Sequence, residues 1–221
     1  MPVKWTFWTA SHGLEPTSFK KERYLPEYLR NLFFNHPKFA LEPIEAKGGG
    51  ELDNEIIQRI YDKAISDVGQ PQVHVILLGN SRKILLLRFH ILIFPISSPG
   101  DNNLRNLNQT QEEYLDLIKT LYKKLEPLNK THLVLTSILP SPRTNFKCKF
   151  VFRDVSMAIK NYVGHDNINA SFMNLNGKFL VQGKPKNSLY LDRIHLNKEG
   201  AKTLAICIKN HLEKLPNITW K

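Results

Sequence analysis

Residues 72–79 read QVHVILLG. The run is apolar at nearly every position, so no alternation separates a wet face from a dry one. A strand of that kind is buried on both faces, as the inner strands of a parallel sheet are. HLVLTSILP (132–140) has the same character. VKWTFWT (3–9) and FALEPIEA (39–46) are rich in β-branched, aromatic and aliphatic residues and read as two more strands, with NASFMNLN (169–176) as a short fifth. Trp5, Phe7 and Trp8 are expected in the core rather than on a base-stacking platform.

Helical periodicity fills the spaces between. TSFKKERYLPEYLRNLFF (17–34) is expected to bend or restart at Pro26. LDNEIIQRIYDKAISDV (52–68) carries a stripe of Ile56, Ile57, Ile60 and Ile65. TQEEYLDLIKTLYKKLEPL (110–128) opens on a capping box of Thr110 and Glu113. FKCKFVFRDVSMAIKNYV (146–163) and KEGAKTLAICIKNHLEKL (198–215) complete the set. Strands alternating with helices predict an α/β three-layer sandwich: a parallel sheet of about five strands with helices on both faces. The groups that do chemistry in such a sheet gather on loops beyond the carboxyl ends of the strands.

The totals are compatible with one domain over residues 1–221, large enough to bury a full core. Lys and Arg outnumber Asp and Glu by 31 to 20, a net charge of +11, which favours nucleic acid, anionic surfaces or acidic ligands as partners. The lysines are scattered, so a plain basic surface accounts for the charge equally well. MPVKWTFWTASHG has no signal-peptide character, and ILLLRFHILIFPI (84–96) is too short for a membrane span and holds Arg88 and His90. The expectation is therefore a cytoplasmic protein without a transmembrane segment. The sequons at Asn108, Asn129, Asn169 and Asn217 are then chance, and Cys148 and Cys207 are small core residues. His12, His74, His132 and His165 lack convergent ligand spacing and read as surface or local hydrogen-bonding groups. There is no Walker loop and no G-x-G-x-x-G, so neither metal nor cofactor is expected.

Four loops on the carboxyl edge hold chemically useful residues. TASHG follows the first strand with Ser11, and KGGG (47–50) follows the second. GDNNLRN (100–106) comes after the third, and LDRIHLNKEG (191–200) precedes the last helix with Asp192 and His195. A serine hydroxyl becomes nucleophilic when an imidazole takes its proton, and an aspartate at the other ring nitrogen fixes the tautomer. Backbone N–H groups of Ser11 and of Gly49 or Gly48, with the side-chain amide of Asn102, would hold an oxyanion. Each also has an ordinary role: Ser11, the glycines and the asparagines as turn residues, Asp192 and His195 as the lead into a helix.

Taken in this order, the blocks resemble those of the SGNH (GDSL-type) hydrolase family. TASHG is similar to its first block, KGGG to the glycine block, GDNNLR to the asparagine block, and LDRIHLNKEG to its final D-x-x-H block. SILPSPR (137–143) resembles the strand and loop between blocks. The resemblance implies a flavodoxin-like fold, and a serine esterase acting on a small acyl ester through Ser11, His195 and Asp192. The glycine run, GDNNLR and DRIHLNKEG together resemble the subgroup found in invertebrate and transposon-associated reading frames. No G-x-S-x-G elbow is present, unlike in ordinary α/β-hydrolases.

Two features depart from the pattern. Thr9 and Ala10 stand where the family has Gly and Asp, and that aspartate helps to hold the nucleophile loop. Residues 80–99, NSRKILLLRFHILIFPISSP, interrupt the third strand and the asparagine block; joining Gly79 to Asp101 gives VILLGDNNLRN, a normal junction. These residues are expected to be an insertion. The alternative alignment keeps them and puts Asn80 in the oxyanion hole instead of Asn102. The departures and the +11 charge also define a rival, a non-catalytic SGNH-like domain that binds RNA or another polyanion.

Overall fold

The computed structural model describes residues 2–10, 24–42, 45–47, 54–66, 72–77, 112, 115–128, 130–140, 142, 146–165, 169–192 and 195–215. Strand β1 (Val3–Ala10) runs through the middle of a parallel sheet. On one side it pairs with β2 (Phe39–Leu41) at Val3–Trp5 and with β3 (Glu45–Lys47) at Trp8–Ala10. The two short strands act as one interrupted strand, which is the segment FALEPIEA reaching one residue further. On the other side come β4 (Gln72–Ile76), β5 (Thr131–Thr136) and β6 (Ala170–Met173). Counting β2 and β3 together, the sheet has the 2-1-3-4-5 order of flavodoxin-like folds, whose switch point lies at the carboxyl ends of β1 and β4.

The alternation along β1 sorts the two layers. Trp5 and Phe7 face one side with Val73, Val75 and Val134. There they meet helix α1 (Tyr24–Phe33) through Leu25, Leu29 and Phe33. The last helix, α6 (Lys198–Lys214), packs on the same face through Ala201, Leu204, Ala205, Ile208 and Leu212. Trp8, Ile76, Leu133 and Leu135 face the other way, against α2 (Asn54–Ser66), helix α3 (residues 115–125) and α4 (Phe146–His165). All three sequence-expected aromatics of β1 are buried.

Details differ from expectation for physical reasons. Pro26 lies in the first turn of α1, where its missing N–H would have had no helical acceptor, so it needs no kink. The buried stripe of α2 runs Ile56, Ile57, Ile60, Ala64; Ile65 falls one position beyond it and is exposed. Thr110 and Glu113 lie outside the described residues. Between β6 and α6 come the short helix α5 (Asn176–Phe179) and a two-stranded hairpin, β7 (Leu180–Val181) and β8 (Lys184–Pro185). The hairpin turns on Gln182 and Gly183, both at positive φ (49° and 72°), as a two-residue loop requires.

Candidate active site

The segment before α6 is held by several bonds. Asn197 caps the helix: its side-chain oxygen accepts from the Gly200 N–H at 3.0 Å, and its amide donates to the Ser188 carbonyl at 2.8 Å. The cap is thus Asn197, which leaves Asp192 and His195 for another task. Gly200 lets the helix lie against the preceding chain, since a Cβ there would sit 2.1 Å from the Leu189 carbonyl oxygen. Tyr190 and Leu196 form an isolated antiparallel bridge, and the Leu191 N–H donates to the His195 carbonyl at 2.8 Å.

Within that clasp Asp192 holds His195 by two bonds. Oδ1 accepts the His195 backbone N–H at 2.7 Å, and Oδ2 accepts from Nδ1 at 2.5 Å. A carboxylate only accepts, so Nδ1 carries the proton and the lone pair of the neutral ring is on Nε2. The imidazole side chain is 24% exposed and the carboxylate 34%, so the pair can be approached from solvent. The Tyr190 hydroxyl donates to the carbonyl of Pro140, four residues past the end of β5. The pair therefore sits at the carboxyl edge of the sheet.

Ser11, Gly48, Gly49, Asn80 and Asn102, and the whole of residues 80–99, lie outside the described residues. The strand ends from which two of these loops depart are described. Ala10, the residue before Ser11, pairs in register with Lys47, the residue before Gly48. Leu77 N–H donates to the Trp8 carbonyl at 2.9 Å, so the end of β4 lies on the other flank of β1.

A second polar cluster was not foreseen. Ser171 of β6 lies between two imidazoles, 3.1 Å from His132 Nε2 of β5 and 2.9 Å from His211 Nε2 of α6. The hydroxyl has one proton, so it donates to one ring and accepts from the other. Burial pushes His132 down to about 4, helped by nearby His211; burial and then Lys214 lower His211 as well. His132 sits near the amino end of β5. Pro140 lies four residues past the other end of β5, so this cluster is a brace toward the opposite edge. His74 is also buried and accepts from the Trp8 indole N–H at 3.2 Å. Both histidines are thus internal hydrogen-bonding groups and not surface ones.

No family model and no curated protein matches the chain. Solved structures do. The chain is similar to the lipase Lip_vut3 from a goat rumen metagenome, with a TM-score of 0.65 and 16% identity over 98% of this chain and 99% of that one. It is similar to a member of the lipolytic protein G-D-S-L family from Veillonella parvula, at TM-score 0.64 and 11% identity, covering 96% of this chain and 100% of that one. A family 3 carbohydrate esterase from Clostridium thermocellum gives 0.57 and 15%, covering 95% and 94%. The fold is that of the GDSL-type (SGNH) hydrolases. Among the described residues no helix is long and apolar enough to cross a membrane.

Proposed function

We propose that the chain is a serine esterase of the SGNH type, cleaving a small acyl ester. The observation that carries this is the Asp192–His195 contact at the carboxyl edge of the sheet, with Nδ1 engaged and Nε2 set as the basic nitrogen. The lipase and esterase neighbours support an acyl-ester substrate. His195 Nε2 takes the proton of Ser11 as its Oγ attacks the carbonyl carbon. The backbone N–H groups of Ser11 and Gly49 (or Gly48), with the side-chain amide of Asn102 (or Asn80), stabilise the oxyanion. The tetrahedral species collapses, and His195 returns the proton to the departing alkoxide. Water, deprotonated by the same nitrogen, then releases the acid from Ser11.

A fluorophosphonate probe followed by mass spectrometry tests this. Label on Ser11, lost in His195→Ala and Ser11→Ala, is the expected result. A folded protein that takes no label there overturns it. We also propose that the chain belongs to the subgroup of invertebrate and transposon-associated frames, on the strength of KGGG, GDNNLR and DRIHLNKEG, and that residues 80–99 are an insertion into one domain. A chain lacking residues 80–99 should then be at least as soluble and stable as the whole.

The polyanion-binding reading has one observation of its own. From residue 167 to residue 191 there is no acidic side chain, while Lys178 and Lys184 are exposed beside the β7–β8 hairpin. Gel-shift affinity for RNA that weakens steeply between low and moderate salt would favour it. No binding at low salt would remove it.

A further inference from the structure

The clasp around Asp192 and His195 is closed on itself by the Tyr190–Leu196 bridge and the Leu191–His195 hydrogen bond. Neither bond fixes where the loop sits over the sheet. The side chain of Tyr190 ties the loop to the chain beyond β5. The residue is 7% exposed, its ring packs in the core on the α1–α6 side, and its hydroxyl reaches 50 residues back along the chain to the Pro140 carbonyl. Burial raises the phenol well above its ordinary range, so it remains a hydrogen-bond donor at any working pH. The acceptor is well placed as an anchor. Ser137 begins the extension of β5 by donating its N–H to the Met173 carbonyl at 2.9 Å, and its hydroxyl accepts the Leu175 N–H at 2.9 Å. The backbone leading to Pro140 is thus tied to β6.

We propose that Tyr190 is a positioning residue, whose hydroxyl, bonded to the Pro140 carbonyl, sets the Asp192–His195 pair at its working height over the carboxyl edge of the sheet. The inference rests on the esterase reading for its consequence in catalysis, though not for its geometry. A group that holds the base and does not touch substrate affects the reaction step and leaves substrate binding alone.

The test is Tyr190→Phe, which keeps the ring and its packing and deletes the donor. Two readouts are taken on the full chain. One is the Nδ1 proton resonance of His195 by 15N-edited NMR, assigned by its loss in His195→Ala; the other is hydrolysis of p-nitrophenyl acetate. In Tyr190→Phe the resonance is expected to shift or broaden. kcat should fall by up to about 10²-fold, the scale of an ångström-level misplacement, with KM unchanged. Leu204→Ala, a core truncation in α6 that deletes none of the clasp's hydrogen bonds, is the control for general loosening and should leave the resonance in place. An unchanged resonance in Tyr190→Phe overturns the proposal whatever the rate does. If the wild-type chain hydrolyses no ester but the resonance moves in Tyr190→Phe, the esterase reading fails and the positioning role stands.

Discussion

Asp192 binds His195 with both carboxylate oxygens, one to the backbone N–H at 2.7 Å and one to Nδ1 at 2.5 Å. One carboxylate therefore shapes the turn and selects the tautomer. The two roles separate by substitution. Asp192→Asn can keep an oxygen for the backbone N–H, but its amide cannot accept from Nδ1. It should retain Tm and lose activity by about 10⁴-fold in kcat, the scale seen when a triad carboxylate is replaced by its amide. Asp192→Ala removes both bonds and should lower Tm as well. Thermal melts and ester hydrolysis on the two variants check the split.

Gly200 carries the second prediction. Its Cβ position lies 2.1 Å from the Leu189 carbonyl oxygen and 3.0 Å from a Leu196 methyl. The first of these is backbone and cannot swing away. It also accepts the Asn197 N–H at 3.0 Å. In Gly200→Ala the better helix propensity of alanine, worth about 1 kcal/mol, does not offset that collision. Net destabilisation of about 1–3 kcal/mol is expected, as for other overpacked sites, with activity lost in proportion as the clasp moves. Urea denaturation measures the first and initial rates the second.

The Ser171 cluster predicts a pH dependence of stability. His132 titrates near 4 in the folded chain and near 6.5 when unfolded. The unfolded state therefore binds more protons between these values, and folding stability falls as pH falls through that window. Stability is fully present above about 6.5, and His132 withdraws about 3 kcal/mol of it by pH 4. The lowered His211 adds in the same direction. Ser171→Ala removes the shared partner and should cost about 1–3 kcal/mol at neutral pH, the penalty for buried polar groups left unsatisfied. Denaturation curves at pH 7.5, 5.5 and 4.5 should show the slope in the wild type and a flatter one in His132→Leu.

Periodic burial is what sequence reports well, and here it located the five sheet segments, the last helix and the layers on either side. The Asp192–His195 pair was legible because three residues of spacing let a single turn join them. Contacts set by strand order were not. Nothing in a lone serine at 171 announces two imidazoles 39 and 40 positions away, and nothing in Tyr190 announces Pro140. These meetings depend on β5 lying beside β6 and on α6 crossing that face. The hairpin escaped because Gln182-Gly183 is a weaker turn signal than Asn-Gly, with glycine supplying only one of its two positive φ angles.

The two alignments of the asparagine block give the last prediction, and it also tests the insertion. On the proposed esterase mechanism, if residues 80–99 are foreign to the core, the amide that meets the oxyanion is Asn102. Asn102→Ala should then lower kcat by about 10²–10³-fold, as loss of one oxyanion donor does, with KM little affected, because the ground-state carbonyl carries less charge than the transition state. Asn80→Ala should be near wild type. The reverse pattern would make residues 80–99 part of the ancestral strand-to-loop connection and assign the oxyanion contact to Asn80. Steady-state kinetics on the two single variants, with fluorophosphonate labelling of Ser11 as a check that the nucleophile is intact in both, separates the cases. Asn103→Ala serves as the neighbouring control, since an amide outside the oxyanion hole should leave kcat unchanged.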